Sequence, residues 1–179
     1  MTEDRTTAYR LDAKDRIVWF DEGFSRFAAQ NGDPDLPNRV LDTPLWDHVD
    51  GQGVGSVTMA VLQRARHAGP LSFPYRCDSP TLRRFMRMTV APRGDDSLEL
   101  CSTILRTEPR EPVPIPLGGR DLPGPLLTIC AWCRRVQTPG GWLEPEEAIG
   151  ALDLLTSDVA PRVTHGMCDG CYPAVLVPG

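Results

Sequence analysis

Tyr9-Arg10-Leu11-Asp12-Ala13-Lys14-Asp15-Arg16-Ile17-Val18-Trp19-Phe20-Asp21-Glu22-Gly23-Phe24 is the stretch from which the fold is read. Tyr9-Arg10-Leu11-Asp12 alternates apolar and polar residues as a strand does, and Ala13-Lys14-Asp15 is a turn. Arg16-Ile17-Val18-Trp19-Phe20 is rich in β-branched and aromatic residues and forms the second strand of a hairpin. Asp21 is placed to cap a short helix over 22–30, with Phe24, Phe27 and Ala28 on one face. A hairpin that runs straight into a capped helix opens an α+β fold.

Working outward, Asn31-Gly32-Asp33-Pro34 ends that helix, and Pro34, Pro37 and Pro44 make 33–43 read as loop. Leu45–Val49 has room for one helical turn. Gly51-Gln52-Gly53-Val54-Gly55 lacks the Gly-Lys-Ser/Thr that a phosphate-binding Walker loop needs, so it reads as a helix lead-in. Val57, Val61, Leu62 and Ala65 then recur at helical spacing over 54–67, and Ala68-Gly69-Pro70 stops the helix. Three strands follow, over 71–78, 83–92 and 98–106, the last two joined by a turn at Gly94-Asp95-Asp96. The order β-β-α-α-β-β-β predicts a five-stranded antiparallel sheet with helices on one side. This gives a polar tail over 1–8, a domain over 9–107, a stiff proline-rich linker over 108–125 and a cysteine-bearing module over 126–175. Inside that module, 145–155 has the pattern of an amphipathic helix.

The module carries Cys130-Ala131-Trp132-Cys133 and Cys168-Asp169-Gly170-Cys171, with residues 134–167 between them. Two residues between cysteines let both sulfurs reach one ion from a tight turn, and two such turns close a four-thiolate shell. A closed shell has no open position for substrate, which points to structural zinc and away from metal catalysis. The gap exceeds the roughly 15–20 residues of a compact finger, so a structured insert is expected between the knuckles. Gly140, Gly141, Gly166 and Gly170 suit the tight turns required. The competing readings are reduced core thiols, a redox dithiol, or a switch in which oxidation ejects the metal. A redox pair prefers a helix N-terminus within a βαβ unit, and no such unit is visible.

Taken with these motifs, the first hundred residues resemble a PAS domain. The segment from Leu11-Asp12 through Arg16–Phe24 is similar to the hairpin-then-helix start of PAS sensors, with Asp21 where asparagine is usual. Leu45-Trp46-Asp47 and Tyr75-Arg76-Cys77-Asp78-Ser79-Pro80 resemble blocks of bacterial stand-alone PAS-like proteins. The stretch from Ile129 to Val136, with Trp142 and Thr164-His165-Gly166-Met167-Cys168-Asp169-Gly170-Cys171, resembles a cysteine-rich tail that follows PAS or receiver modules in bacterial signalling proteins. The resemblance implies a non-enzymatic sensor or adaptor that acts through a homodimer or a signalling partner. It also implies a pocket between helices and sheet whose ligand, whether haem, flavin or another molecule, the sequence does not name. Fold alone does not fix function.

Totals narrow the classes. The 179 residues are 41% hydrophobic and 24% charged, with formal net charge −5. An acidic chain is a poor match to sequence-independent nucleic-acid binding, although Arg134 and Arg135 at the knuckle keep a zinc-containing transcriptional regulator as the alternative reading. No apolar run approaches the roughly 20 residues of a membrane span. Met1-Thr2-Glu3-Asp4-Arg5 has no apolar stretch behind it, so the expected compartment is the cytoplasm, with thiols reduced.

Other residues invite chemistry. His165, three residues before Cys168, is an alternative metal ligand, though four cysteines already complete a shell. Cys77 lies beside Arg76 and near Arg83 and Arg84, which would lower its pKa and make a redox-sensing thiol, or else it is a half-buried strand residue. Cys101 reads as core. Arg76, Arg83, Arg84 and Arg87 read as the charged solvent face of a sheet, or as an anion site. Met86 and Met88 read as core fillers. A haem sensor would need His48 or His67 in its pocket. No catalytic constellation is recognised.

Overall fold

The computed structural model describes residues 5–49, 51–112, 125–154 and 160–176, the side chains of 52 and 176 excepted. Its first sheet has five antiparallel strands in the order β2-β1-β5-β4-β3. These are β1 Thr6–Leu11, β2 Ile17–Phe20, β3 Leu71–Arg76, β4 Leu82–Pro92 and β5 Leu98–Pro109. Between β2 and β3 lie α1 Glu22–Gln30, α2 Leu36–Val40, a 3-10 turn at Leu45–His48 and α3 Gln52–Ala68. This is the α+β arrangement, a five-stranded antiparallel sheet with helices inserted between its second and third strands, that the element order implied.

Strand alternation assigns the two faces. Tyr9, Leu11, Leu71, Phe73, Val90, Leu98 and Leu100 point to one side, where Val57, Val61, Leu62 and Ala65 of α3 meet them. Each such apolar side chain contributes about 1.5–3 kcal/mol by leaving water. The opposite face carries a cross-strand pair, Arg10 and Glu99, at 2.8 Å, with the Arg10 guanidinium 4.2 Å above the Trp19 ring. Cys101 falls on this outer face between Glu99 and Thr103 and is only half-buried, so it is not a core residue.

The capping expectation at Asp21 is met. Its Oδ1 accepts from the Phe24 N–H at 2.7 Å, and Asn31 ends α1. Other boundaries differ. The strand β1 begins at Thr6, because Thr6, Thr7 and Ala8 pair with Thr103, Ser102 and Cys101, so the polar tail ends sooner than expected. Pro37 was read as a breaker, yet it sits in the first turn of α2, where a missing N–H costs nothing. Leu82 pairs with Pro109, which carries β5 past the expected start of the linker. Residues 113–124 of that proline-rich stretch lie outside the described residues.

A second sheet has the order β8-β7-β6-β9, from β6 Leu126–Cys130, β7 Val136–Thr138, β8 Gly141–Leu143 and β9 Arg162–Gly166. Its β6 and β9 run parallel, from Leu126↔Arg162 to Cys130↔Gly166. Parallel neighbours need a crossover, supplied here by β7, β8 and α4 Pro145–Ala151. The α4 helix is shorter than its apolar pattern suggested, and 155 lies outside the described residues. Leu127, Val136, Ala148 and Leu154 form its small core. The last described element is α5 Cys171–Leu176, which opens from the second knuckle. Among the described residues, no helix is long and apolar enough to cross a membrane.

Candidate metal centre

Both knuckles hang from the same end of the parallel pair β6–β9. Cys130 is the last residue of β6, and Cys168 lies two residues beyond β9. Parallel registration of Cys130 with Gly166 therefore brings the two motifs together although 134–167 separate them. In the first knuckle the Cys130 N–H donates to the Arg135 carbonyl at 2.7 Å, and the Arg134 N–H donates back to the Cys130 carbonyl at 3.0 Å. That turn closes through Arg134, whose φ is 67°, the left-handed region. In the second knuckle the Cys168 carbonyl accepts from Cys171 and Tyr172 at 3.0 and 3.1 Å as α5 begins.

Gly170 lies in the second knuckle's turn as expected, whereas Gly141 and Gly166 do other work. Gly141, at φ 120°, turns β7 into β8. A Cβ at Gly166 would sit 3.2 Å from Thr128 Cγ2, so glycine there lets β9 close on β6.

The four cysteine sulfurs lie within 4.8 Å of one another, with Cys130 and Cys168 buried and Cys133 and Cys171 half-buried. Cys133 Sγ and Cys168 Sγ are 3.6 Å apart. A tetrahedral ion with metal–sulfur bonds of about 2.3 Å has sulfur–sulfur edges of about 3.8 Å, so the donor set fits a closed four-thiolate site. None of the six cysteines is in a disulfide. The Cys168 N–H also points at Cys130 Sγ, 3.4 Å away, the kind of contact that favours a thiolate.

Electrostatics make the same point. Hydrogen bonds from the Cys133 and Cys171 thiols, with backbone N–H groups, draw the Cys130 thiol well below its ordinary range. Its neighbours pay the complement: contact with Cys130 pushes Cys133 up to about 11 and raises Cys171 further. Cys130 ionises readily, while Cys133 and Cys171 hold their protons, because their thiols donate to Cys130 and, to a lesser degree, because its negative charge repels a second one beside it. A cation among them would relieve that repulsion, and these four cysteines could hold a metal ion.

His165 is not in this group. It faces Ile129 in the β6–β9 ladder and is half-buried. Cys77 lies just past β3. Burial raises its pKa, and the pull of Arg84 and Arg134 in the other direction does not overcome it. His48 is exposed and shares a 2.7 Å hydrogen bond with Thr43 Oγ1, and His67 is exposed at the end of α3, so neither faces the core.

Arg87 is exposed, as a solvent face requires, but Arg76 and Arg83 depart from that reading. Arg76 is 8% exposed. It pairs with Asp78 and, at 2.6 Å, with Glu144 at the start of α4. Burial works against its charge, but the hydrogen bonds and fields of Asp78 and Glu144 outweigh that and raise its pKa. Arg83 reaches Glu146 at 2.9 Å, and Arg135 reaches Glu144 at 3.2 Å. Arg76 and Arg83 thus bind the end of the first sheet to the second module. Sequence spacing gave no sign of this, because Glu144 lies 68 residues from Arg76.

Apolar contact joins the two parts as well. Cys130, Trp132, Cys168 and Val175 belong to the same buried cluster as Val61, Leu62 and Phe73. The knuckle is therefore built into the core of the first sheet.

No family model matches the chain, and no curated protein matches it. Among solved structures it is similar to a domain of an HTR-like protein from Haloarcula marismortui, at 13% identity and TM-score 0.40 over 56% of this chain and 98% of the other. It is also similar to the photoactive yellow protein domain of the sensor histidine kinase Ppr from Rhodospirillum centenum, at 13% identity and TM-score 0.40 over 54% and 83%. The PAS domain of BvgS from Bordetella pertussis is similar at 10% identity and TM-score 0.39 over 56% and 73%.

Proposed function

We propose that this chain is a non-enzymatic signalling sensor or adaptor of the cytoplasm, a PAS-like domain whose C-terminal module is held by one structural zinc ion on Cys130, Cys133, Cys168 and Cys171. The observation that carries this reading is the convergence of the four sulfurs at the seam where Trp132 enters the first core. An all-cysteine donor set selects zinc over hard cations such as magnesium or calcium. With four protein ligands the ion would have no position for substrate, so its work would be to fix the two turns. Output would pass through a second copy of the chain or through a partner protein. The exposed Val18 and Trp19 on edge strand β2 offer apolar surface for such a contact.

The test is metal analysis of protein purified without chelator, alongside light scattering for its mass. One zinc per chain, lost when Cys130 and Cys168 are both changed to serine, supports the reading. Metal-free protein that is nonetheless folded would overturn it.

A further inference from the structure

Between α3 and the inner face of the first sheet lies a cavity of about 220 Å³. Val61 and Leu62 of α3 and Phe73 and Tyr75 of β3 form much of its wall. Its roof is Ala131 and Trp132, the two residues between the first pair of cysteines. On the far side of that roof is a crevice of about 320 Å³, lined by Arg76, Cys133, Cys168 and Cys171. Tyr75 and Trp132 border both spaces. Tyr75 is anchored from below, its hydroxyl 2.8 Å from Ser102 Oγ. The Trp132 ring is carried by the turn that the cysteines define.

We infer that a small uncharged apolar guest in this cavity and the metal at the four cysteines bind cooperatively, with Trp132 as the shared part. This rests on the metal reading proposed above. An apolar cavity of about 150 Å³ already accepts benzene, so this one has room for a guest of one or two fused rings. The lining is almost wholly apolar and holds no charged side chain, which excludes an anionic or cationic guest. A bound ion fixes Cys130 and Cys133, and so fixes Ala131 and Trp132 between them, which line the cavity. A guest packed under Trp132 would in turn hold the turn in the shape the ion needs. Linkage makes the two effects equal in factor.

The experiment uses the full chain and indole as the probe. Zinc affinity is measured by competition with a chromogenic chelator, without indole and at saturating indole. Indole affinity is measured by calorimetry on zinc-loaded and zinc-free protein. The expected result is one zinc per chain and tightening of each ligand by the other by the same factor, about fivefold or more. Val61→Phe, which fills the cavity, should keep one zinc and lose the indole effect, and Thr58→Phe serves if that variant does not fold. Protein that binds zinc at one per chain, with an affinity that indole leaves unchanged, overturns the coupling alone. Protein that binds no zinc overturns the metal reading instead.

Discussion

The backbone N–H of Arg76 donates to the carbonyl of Trp132 at 2.6 Å. One residue ends edge strand β3, and the other is the centre of the first knuckle. The knuckle thus continues the hydrogen bonding of the sheet edge, and the edge is covered where it would otherwise be open to another chain. The side chains act in parallel, since Arg76 is paired and Trp132 is 7% exposed.

Trp132→Ala should therefore destabilise the first domain as well as the tail. Truncating a buried tryptophan costs about 3–5 kcal/mol. Urea unfolding followed by circular dichroism, with Trp132→Phe as the milder variant, checks this. A loss confined to the tail, with the sheet melting as before, would show that the knuckle does not belong to the core.

Arg76→Met leaves Asp78, 7% exposed at its side chain, without its nearest cation, although Arg110 stays 3.4 Å away. Removing one partner of a buried pair costs about 3 kcal/mol or more. The double variant Arg76→Met, Asp78→Asn should recover part of that loss, because the orphaned charge is gone. Equal stability of the single and double variants in thermal melts would mean that the pair contributes nothing through its charge.

Glu99 gives a pH test away from the cysteines. Burial raises its pKa, but hydrogen bonds from Arg10 and Arg93 outweigh that and leave it below its ordinary value of 4.5. A depressed folded pKa means that the contribution is complete above the ordinary glutamate range and disappears as pH falls through the folded value. Glu99→Gln should cost about 1 kcal/mol at neutral pH, and the difference from wild type should shrink below about pH 4.5. A difference constant down to pH 3 would exclude the ion pairs as its source.

Cys77 should alkylate slowly. Burial lifts its pKa despite Arg84 and Arg134, so its thiolate is scarce at neutral pH. Iodoacetamide should label it more slowly than a free thiol, with the rate rising only at higher pH. Faster labelling than a free thiol at pH 7 would restore a sensing role.

Short-range signals were legible and long-range ones were not. Asp21 announces α1, and Ala68-Gly69-Pro70 announces the end of α3, because caps and breakers act on adjacent backbone. The cysteine spacing gave the convergence of four sulfurs, since two residues fix the reach of each pair. It could not give the parallel β6–β9 pairing, which depends on a crossover of more than thirty residues. Nor could it give the burial of Arg76, which is set by Glu144 arriving from the other module. Pro37 misled because a proline breaks a helix interior and favours a first turn, and sequence alone does not separate the two. The cavity roof at Trp132 follows only once both sheets are assembled.

X-ray absorption at the zinc edge, on full-length protein purified without chelator, addresses the assembly most directly. Four sulfur neighbours at about 2.3 Å, at one zinc per chain, are the predicted result. A shell with nitrogen or oxygen in it, or no bound zinc with the cysteines oxidised in pairs, would contradict it.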